Sequence, residues 1–94
     1  MGELPAIALL ESTHTFPGPY IFKVIGKTDP GFVARTVAAV RDELGDAQDP
    51  PYRVRESVGG RHIAVTLEPV VQTARQVLDV YRRLGRTVGL IMLW

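Results

Sequence analysis

Two segments of this chain repeat their apolar residues with a helical period, and the four segments around them read as strands, in the order β-α-β-β-α-β. No other feature constrains the fold as much. A strand-helix-strand crossover is right-handed, so this order places both helices on one face of a single antiparallel sheet.

In "DPGFVARTVAAVRDELG", Val33, Val37, Val40 and Leu44 share one helical face. Asp29 is positioned to cap the first turn, with Pro30 at the first helical position and Gly45 as the stop. In "QTARQVLDVYRRLG", Ala74, Val77, Leu78, Tyr81 and Leu84 form the stripe. Gly85 ends that helix, and Arg82 and Arg83 fall in the last turn, where the helix dipole favours cations.

Tyr20–Ile25 and His62–Leu67 alternate, Tyr52–Glu56 alternates with arginines, and Val88–Leu93 is a short apolar run. "SVGG" makes a hairpin between the second and third strands, whereas "GDAQDPP" is an exposed loop. The expected architecture is α+β: a ferredoxin-like βαββαβ sandwich with a four-stranded antiparallel sheet, strand order 4-1-3-2, and two helices on one face. At 94 residues the chain has length for one core. Residues 16–94 form that domain, and residues 1–15 read as a flexible N-terminal arm whose Ile7, Leu9 and Leu10 could dock on it.

The period of two then assigns faces. Ile63, Val65 and Leu67 oppose the helices, as do Tyr20, Phe22 and Val24, because the alternative set on the first strand includes Lys23. By the same reasoning Tyr52 and Val54 point inward and Arg53 and Arg55 outward. The open face should therefore carry Arg53 and Arg55, then His62, Ala64 and Thr66, then Ile21, Lys23 and Ile25, and finally Gly89, Ile91 and Leu93. It is basic on one side, and Ile21, Ile25, Ile91 and Leu93 form an apolar strip on the other, the kind of surface that marks a contact.

Little in the chain points to catalysis. With 11 Lys plus Arg against 10 Asp plus Glu and no cysteine, there is no whole-molecule field for nucleic acid, no disulfide framework and no thiolate chemistry. Of the two histidines, His14 lies in the arm and His62 on a strand with no acidic partner at fixed spacing; Asp42, Glu43, Asp46 and Asp49 read as a solvated helix end and loop, and no metal-ligand spacing occurs. "GKT" at Gly26–Thr28 lacks the upstream glycine of a P-loop. The loop "GKTDPG" is also not the arginine-bearing phosphate loop of small acylphosphatases, which share this plan. An RNA-recognition surface would need outward aromatics on the central strands, and "GGRHIAVTL" offers only His62. No apolar stretch approaches the roughly 18–20 residues that span a bilayer, and the acidic start "MGELP" does not resemble an export signal. The expectation is a soluble cytoplasmic domain without cofactor or metal.

The stretch "FPGPYIFKVIG", the hairpin "ESVGGRHIAVTL" and the helix running into "VYRRLG" before a final apolar strand resemble the YbeD-like family of small bacterial proteins of unknown function. The resemblance covers about Phe16 to Met92. It implies a ferredoxin-like fold akin to the ligand-sensing ACT regulatory domains, and some members carry the label of lipoate regulatory proteins. Val58, His62 and Ala64 depart from the hydroxyl-bearing residues of the family's hairpin.

Together these readings point to a non-catalytic regulatory or protein-interaction domain that contacts itself or another protein. Its expected contact residues are Ile21, Lys23, Ile25, Arg53, Arg55, His62, Thr66, Ile91 and Leu93. The alternative is a sensor of a small anionic ligand held near Lys23, Arg53, Arg55 and His62.

Overall fold

The computed structural model describes residues 4–94. Its elements are α1 (Ile7–Thr13), β1 (Gly18–Pro19), β2 (Phe22–Lys27), α2 (Phe32–Leu44), β3 (Tyr52–Glu56), β4 (His62–Leu67), β5 (Val70–Val71), α3 (Ala74–Leu84) and β6 (Leu90–Leu93). The main sheet is antiparallel in the order β3-β4-β2-β6, which is the ferredoxin-like arrangement with β2 and β4 central. Pairing runs Phe22 to Leu67 through Lys27 to His62 between β2 and β4, and Tyr52 to Leu67 through Glu56 to Ile63 between β3 and β4. A two-residue ribbon, β1 with β5, sits outside this sheet.

The helices form where the apolar stripes predict and stop where the glycines predict. Gly45 closes α2 in the left-handed conformation, φ 68°, a region a side chain rarely enters. The start of α2 differs from the expectation. The helix begins at Phe32, and the Asp29 carboxylate accepts the Gly31 N–H at 2.8 Å in a turn that precedes the helix instead of capping it. At the start of α3, Thr73 Oγ1 accepts the Gln76 N–H at 3.2 Å while Gln76 Oε1 accepts the Gln72 N–H at 2.8 Å, a reciprocal pair close to a capping box.

The core fills the space between helices and sheet. Phe22 and Val24 of β2, Ile63, Val65 and Leu67 of β4, Phe32, Val37 and Val40 of α2, and Val77, Leu78, Val80, Tyr81 and Leu84 of α3 are all buried. Phe22, Tyr20 and Tyr81 pack as an aromatic cluster, with ring centroids 4.9 and 5.0 Å from Phe22.

Two expectations are corrected here. Residues 7–13 of the expected flexible arm are helical, and α1 meets α3 with Leu10 buried at 2 % exposure, while Leu4 of the same arm also packs against the core. The part of the expected arm over residues 1–3 lies outside the described residues. Tyr52 and Val54 do turn toward the helix side, opposite Leu67 and Val65, yet they stay 45 % and 44 % exposed. The two helices cover the middle of the sheet and leave this edge bare. Among the described residues no helix is long and apolar enough to cross a membrane.

Candidate functional site

The face of the sheet away from α2 and α3 is organised in rows set by register. One row runs Arg53, Thr66, Lys23, Trp94: Arg53 pairs with Thr66, Thr66 with Lys23, and Lys23 exchanges backbone hydrogen bonds with Trp94 at 3.1 and 2.9 Å. The next row runs Arg55, Ala64, Ile25, Met92. A third joins His62 to Lys27, whose N–H donates to the Gly89 carbonyl at 2.9 Å. Small residues in the middle strand make the face concave. Ala64 and Thr66 lie between the arginines of β3 and the longer side chains Lys23, Ile25 and Trp94, and the resulting groove has a volume of about 690 Å³. A smaller depression of about 370 Å³, which reaches His62, continues it past Arg55 and Ile25.

The electrostatics of this groove are one-sided. Elsewhere four arginines are paired, among them Arg35 with Asp29 at 2.8 Å, Arg41 with Asp42 at 3.0 Å and Asp49 at 2.9 Å, and Arg82 with Asp79 at 3.3 Å, whereas Arg61, Arg75 and Arg86 form no ion pair among the described residues. The Arg35 guanidinium and the Gly31 N–H hold the Asp29 carboxyl below the usual carboxylate range. Among the described residues Lys23, Lys27, Arg53 and Arg55 form no ion pair, and no acidic residue lines the main groove. In a chain of near-neutral net charge, four unpaired cations thus share one sheet face.

The structure brings together six of the nine residues singled out from the sequence: Lys23, Ile25, Arg53, Arg55, His62 and Thr66 line the groove or its continuation. Ile21 precedes β2 and is exposed. Leu93 is corrected: it lies opposite Val24 and packs against the core. The cause is a bulge. The register between β2 and β6 shifts between Ile25 and Gly26, so that Met92 opposes Ile25 while Leu90 opposes Gly26, and Ile91 is the extra residue, exposed within the bulge. The expected strip of Ile21, Ile25, Ile91 and Leu93 is therefore replaced, on the β6 side, by Met92 and Trp94, each 51 % exposed. Sequence reasoning missed these two and Lys27. The signal it could have used is the lone tryptophan two positions past Met92, on the parity opposite Leu93.

Among the described residues neither histidine side chain has an acidic hydrogen-bond or ion-pair partner. His62 donates its backbone N–H to Ser57 Oγ at 3.0 Å, and the His14 ring packs against Tyr20 at a tilt of 52°, centroids 4.8 Å apart. Among the described residues no group of three or more His, Cys, Asp and Glu side chains could hold a metal ion. What the groove can do is bind: it offers cations for carboxylates or phosphates and Ile25, Met92 and Trp94 for apolar contact.

Comparison with known proteins agrees with the fold and leaves the activity open. The solution structure of protein HP0495 from H. pylori superposes with a TM-score of 0.62 over 100 % of this chain and 98 % of that one at 12 % identity, a likeness of fold alone. A UPF0250 protein of Paraburkholderia phytofirmans is 30 % identical over 74 residues, which cover 79 % of this chain and 83 % of that protein. The model of the family described as "Protein of unknown function (DUF493)" matches residues 11–93. None of these names carries a catalytic activity. The resemblance to the YbeD-like proteins read from "FPGPYIFKVIG" is thereby borne out, and the chain belongs to the DUF493 family of small bacterial proteins of unknown function.

Proposed function

We propose that this is a non-catalytic binding domain that holds an acidic, partly apolar segment of a partner protein on its open sheet face. The observation that supports it is the groove in which Lys23, Arg53 and Arg55 stand without acidic neighbours beside Ile25 and Trp94. Arginine beside an aromatic side chain is the composition that interface centres favour. Two copies laid face to face would set these cations against their own kind, so a partner of opposite charge fits better than a second copy.

The test is site-resolved crosslinking in cells. A photo-crosslinking residue in place of Thr66, at the centre of the groove, should capture an acidic partner, and one in place of Arg75, on an exposed helix position, should not. Arg53→Glu combined with Arg55→Glu should abolish the capture from position 66. Equal capture from both positions, or capture indifferent to the charge reversal, sinks the proposal.

A second reading, a sensor of a small carboxylate, is favoured by the groove volume of about 690 Å³, which lies within the range of small-ligand sites. A thermal-shift series with amino acids, lipoate and nucleotides tests it. A Tm that no member of the series raises removes its support.

A further inference from the structure

Strand β3 is the least covered element of the sheet: it lies at one end of the strand order, pairs only with β4, and all of Tyr52–Glu56 is exposed. The alternation of an antiparallel pair says which of its peptide groups are already used. The Ser57 N–H donates to the His62 carbonyl at 3.0 Å, and the Glu68 N–H donates to the Pro51 carbonyl at 2.9 Å. Residues of that parity, including Arg53 and Arg55, therefore turn their backbone groups toward β4. Tyr52, Val54 and Glu56 turn theirs off the edge of the sheet. The side chains divide the same way, with Arg53 and Arg55 on the basic face and Tyr52 and Val54 on the helix side, half exposed.

We infer that β3 is a strand-addition site, which takes an extended segment of another protein in which acidic and apolar side chains alternate. This rests on the proposed binding role of the basic face and carries that contact around the sheet edge. The unused N–H and C=O groups of Tyr52, Val54 and Glu56 supply the main-chain hydrogen bonds, and the pockets on either side supply the selection. A strand laid there sends one set of side chains across from Arg53 and Arg55 and the other across from Tyr52 and Val54. The first set is complemented by carboxylates, the second by apolar groups. Pro50 and Pro51 before the strand and the "SVGG" turn after it bound the edge, so the added strand is short.

Parity also argues against a second copy as the occupant. If two β3 edges pair antiparallel, the outward-facing residues Tyr52, Val54 and Glu56 must meet one another. In every register that pairs at least two of them per chain, an arginine of one copy then falls directly opposite an arginine of the other. Like charges directly opposite are destabilising.

The experiment is amide-resolved hydrogen exchange by NMR on the full chain, with a capped synthetic peptide of alternating Glu and Val as the probe. Saturating peptide should slow exchange at the Tyr52, Val54 and Glu56 amides by about tenfold or more, with little change at Arg53 and Arg55. N-methylation of the peptide on the residues that face the edge should abolish this, and N-methylation of the intervening residues should not. A peptide of alternating Lys and Val should be inert toward the wild type and should gain the effect with Arg53→Glu plus Arg55→Glu. Binding that perturbs Lys23, Ile25 and Trp94 without protecting the three edge amides overturns strand addition while leaving the face reading intact. No perturbation anywhere overturns both, and protection of the same amides by raising the protein concentration alone makes a second copy the occupant.

Discussion

The ring of Phe32 lies against Gly26 where a side chain would begin: a Cβ at Gly26 would overlap three of the ring's carbons. Phe32 opens α2 and is fully buried, and Gly26 is the buried position of β2 at which the register with β6 shifts. The contact therefore fixes how the helix start meets the strand that carries Lys23 and Ile25.

Gly26→Ala should accordingly destabilise the domain by overpacking, by about 1–3 kcal/mol. Shrinking the ring's end should relieve part of that, so Gly26→Ala with Phe32→Leu should show a favourable coupling in a double-mutant cycle from urea unfolding. Additive losses would mean that the two residues do not meet as described.

The Tyr20 and Tyr81 hydroxyls lie 3.1 Å apart, and burial, followed by that hydrogen bond, raises the Tyr81 phenol above its ordinary value. A group whose pKa is raised on folding contributes stability that is intact below its unfolded value, about 10, and lost as pH climbs toward the folded one. Stability should hold flat through neutral pH and fall in the alkaline range. Tyr81→Phe should cost about 1 kcal/mol at neutral pH, for the lost hydrogen bond, and should flatten the alkaline decline. Chemical unfolding at a series of alkaline pH values reads both effects.

Leu10 tests whether α1 belongs to the domain. Its side chain is buried, while Leu9 next to it is 55 % exposed. Leu10→Ala should lower stability by about 2 kcal/mol or more, whereas Leu9→Ala should stay within about 0.5 kcal/mol. Equal small effects would return the segment to the status of a loose arm.

The order of the four main-sheet strands and the two long helices, the central strands and most of the basic groove were legible in the sequence, because each rests on local periodicity, whereas α1 and the β1–β5 ribbon were not. Ile63, Val65 and Leu67 could face only one way, and Arg53 and Arg55 only the other. What was not legible depends on contacts distant in sequence. Leu10 reads as a frayed apolar residue until α3 is seen beside it, and Tyr52 and Val54 read as core until the reach of the helices is known. The bulge in β6 arises from its pairing with β2, a strand distant in sequence, and only the parity of Trp94 hints at its consequence.

That bulge makes the last prediction the sharpest, because it inverts what strict alternation implies for two neighbouring residues. If β6 ran unbroken with Ile91 on the open face, Leu93 would be outside and Met92 inside. In the structure Leu93 opposes Val24 and packs on the core, whereas Met92 opposes Ile25 on the basic face and is exposed. A carboxylate at position 93 would be driven into apolar surroundings, so Leu93→Glu should cost about 2–3 kcal/mol or force the strand to detach. A carboxylate at position 92 would stand in water on the face that carries Lys23 and Lys27, so Met92→Glu should change stability by no more than about 0.5 kcal/mol. Urea unfolding of the two variants decides between the parities. A tolerated Leu93→Glu together with a crippled Met92→Glu would remove the bulge, and with it the placement of Trp94 beside Lys23 in the groove.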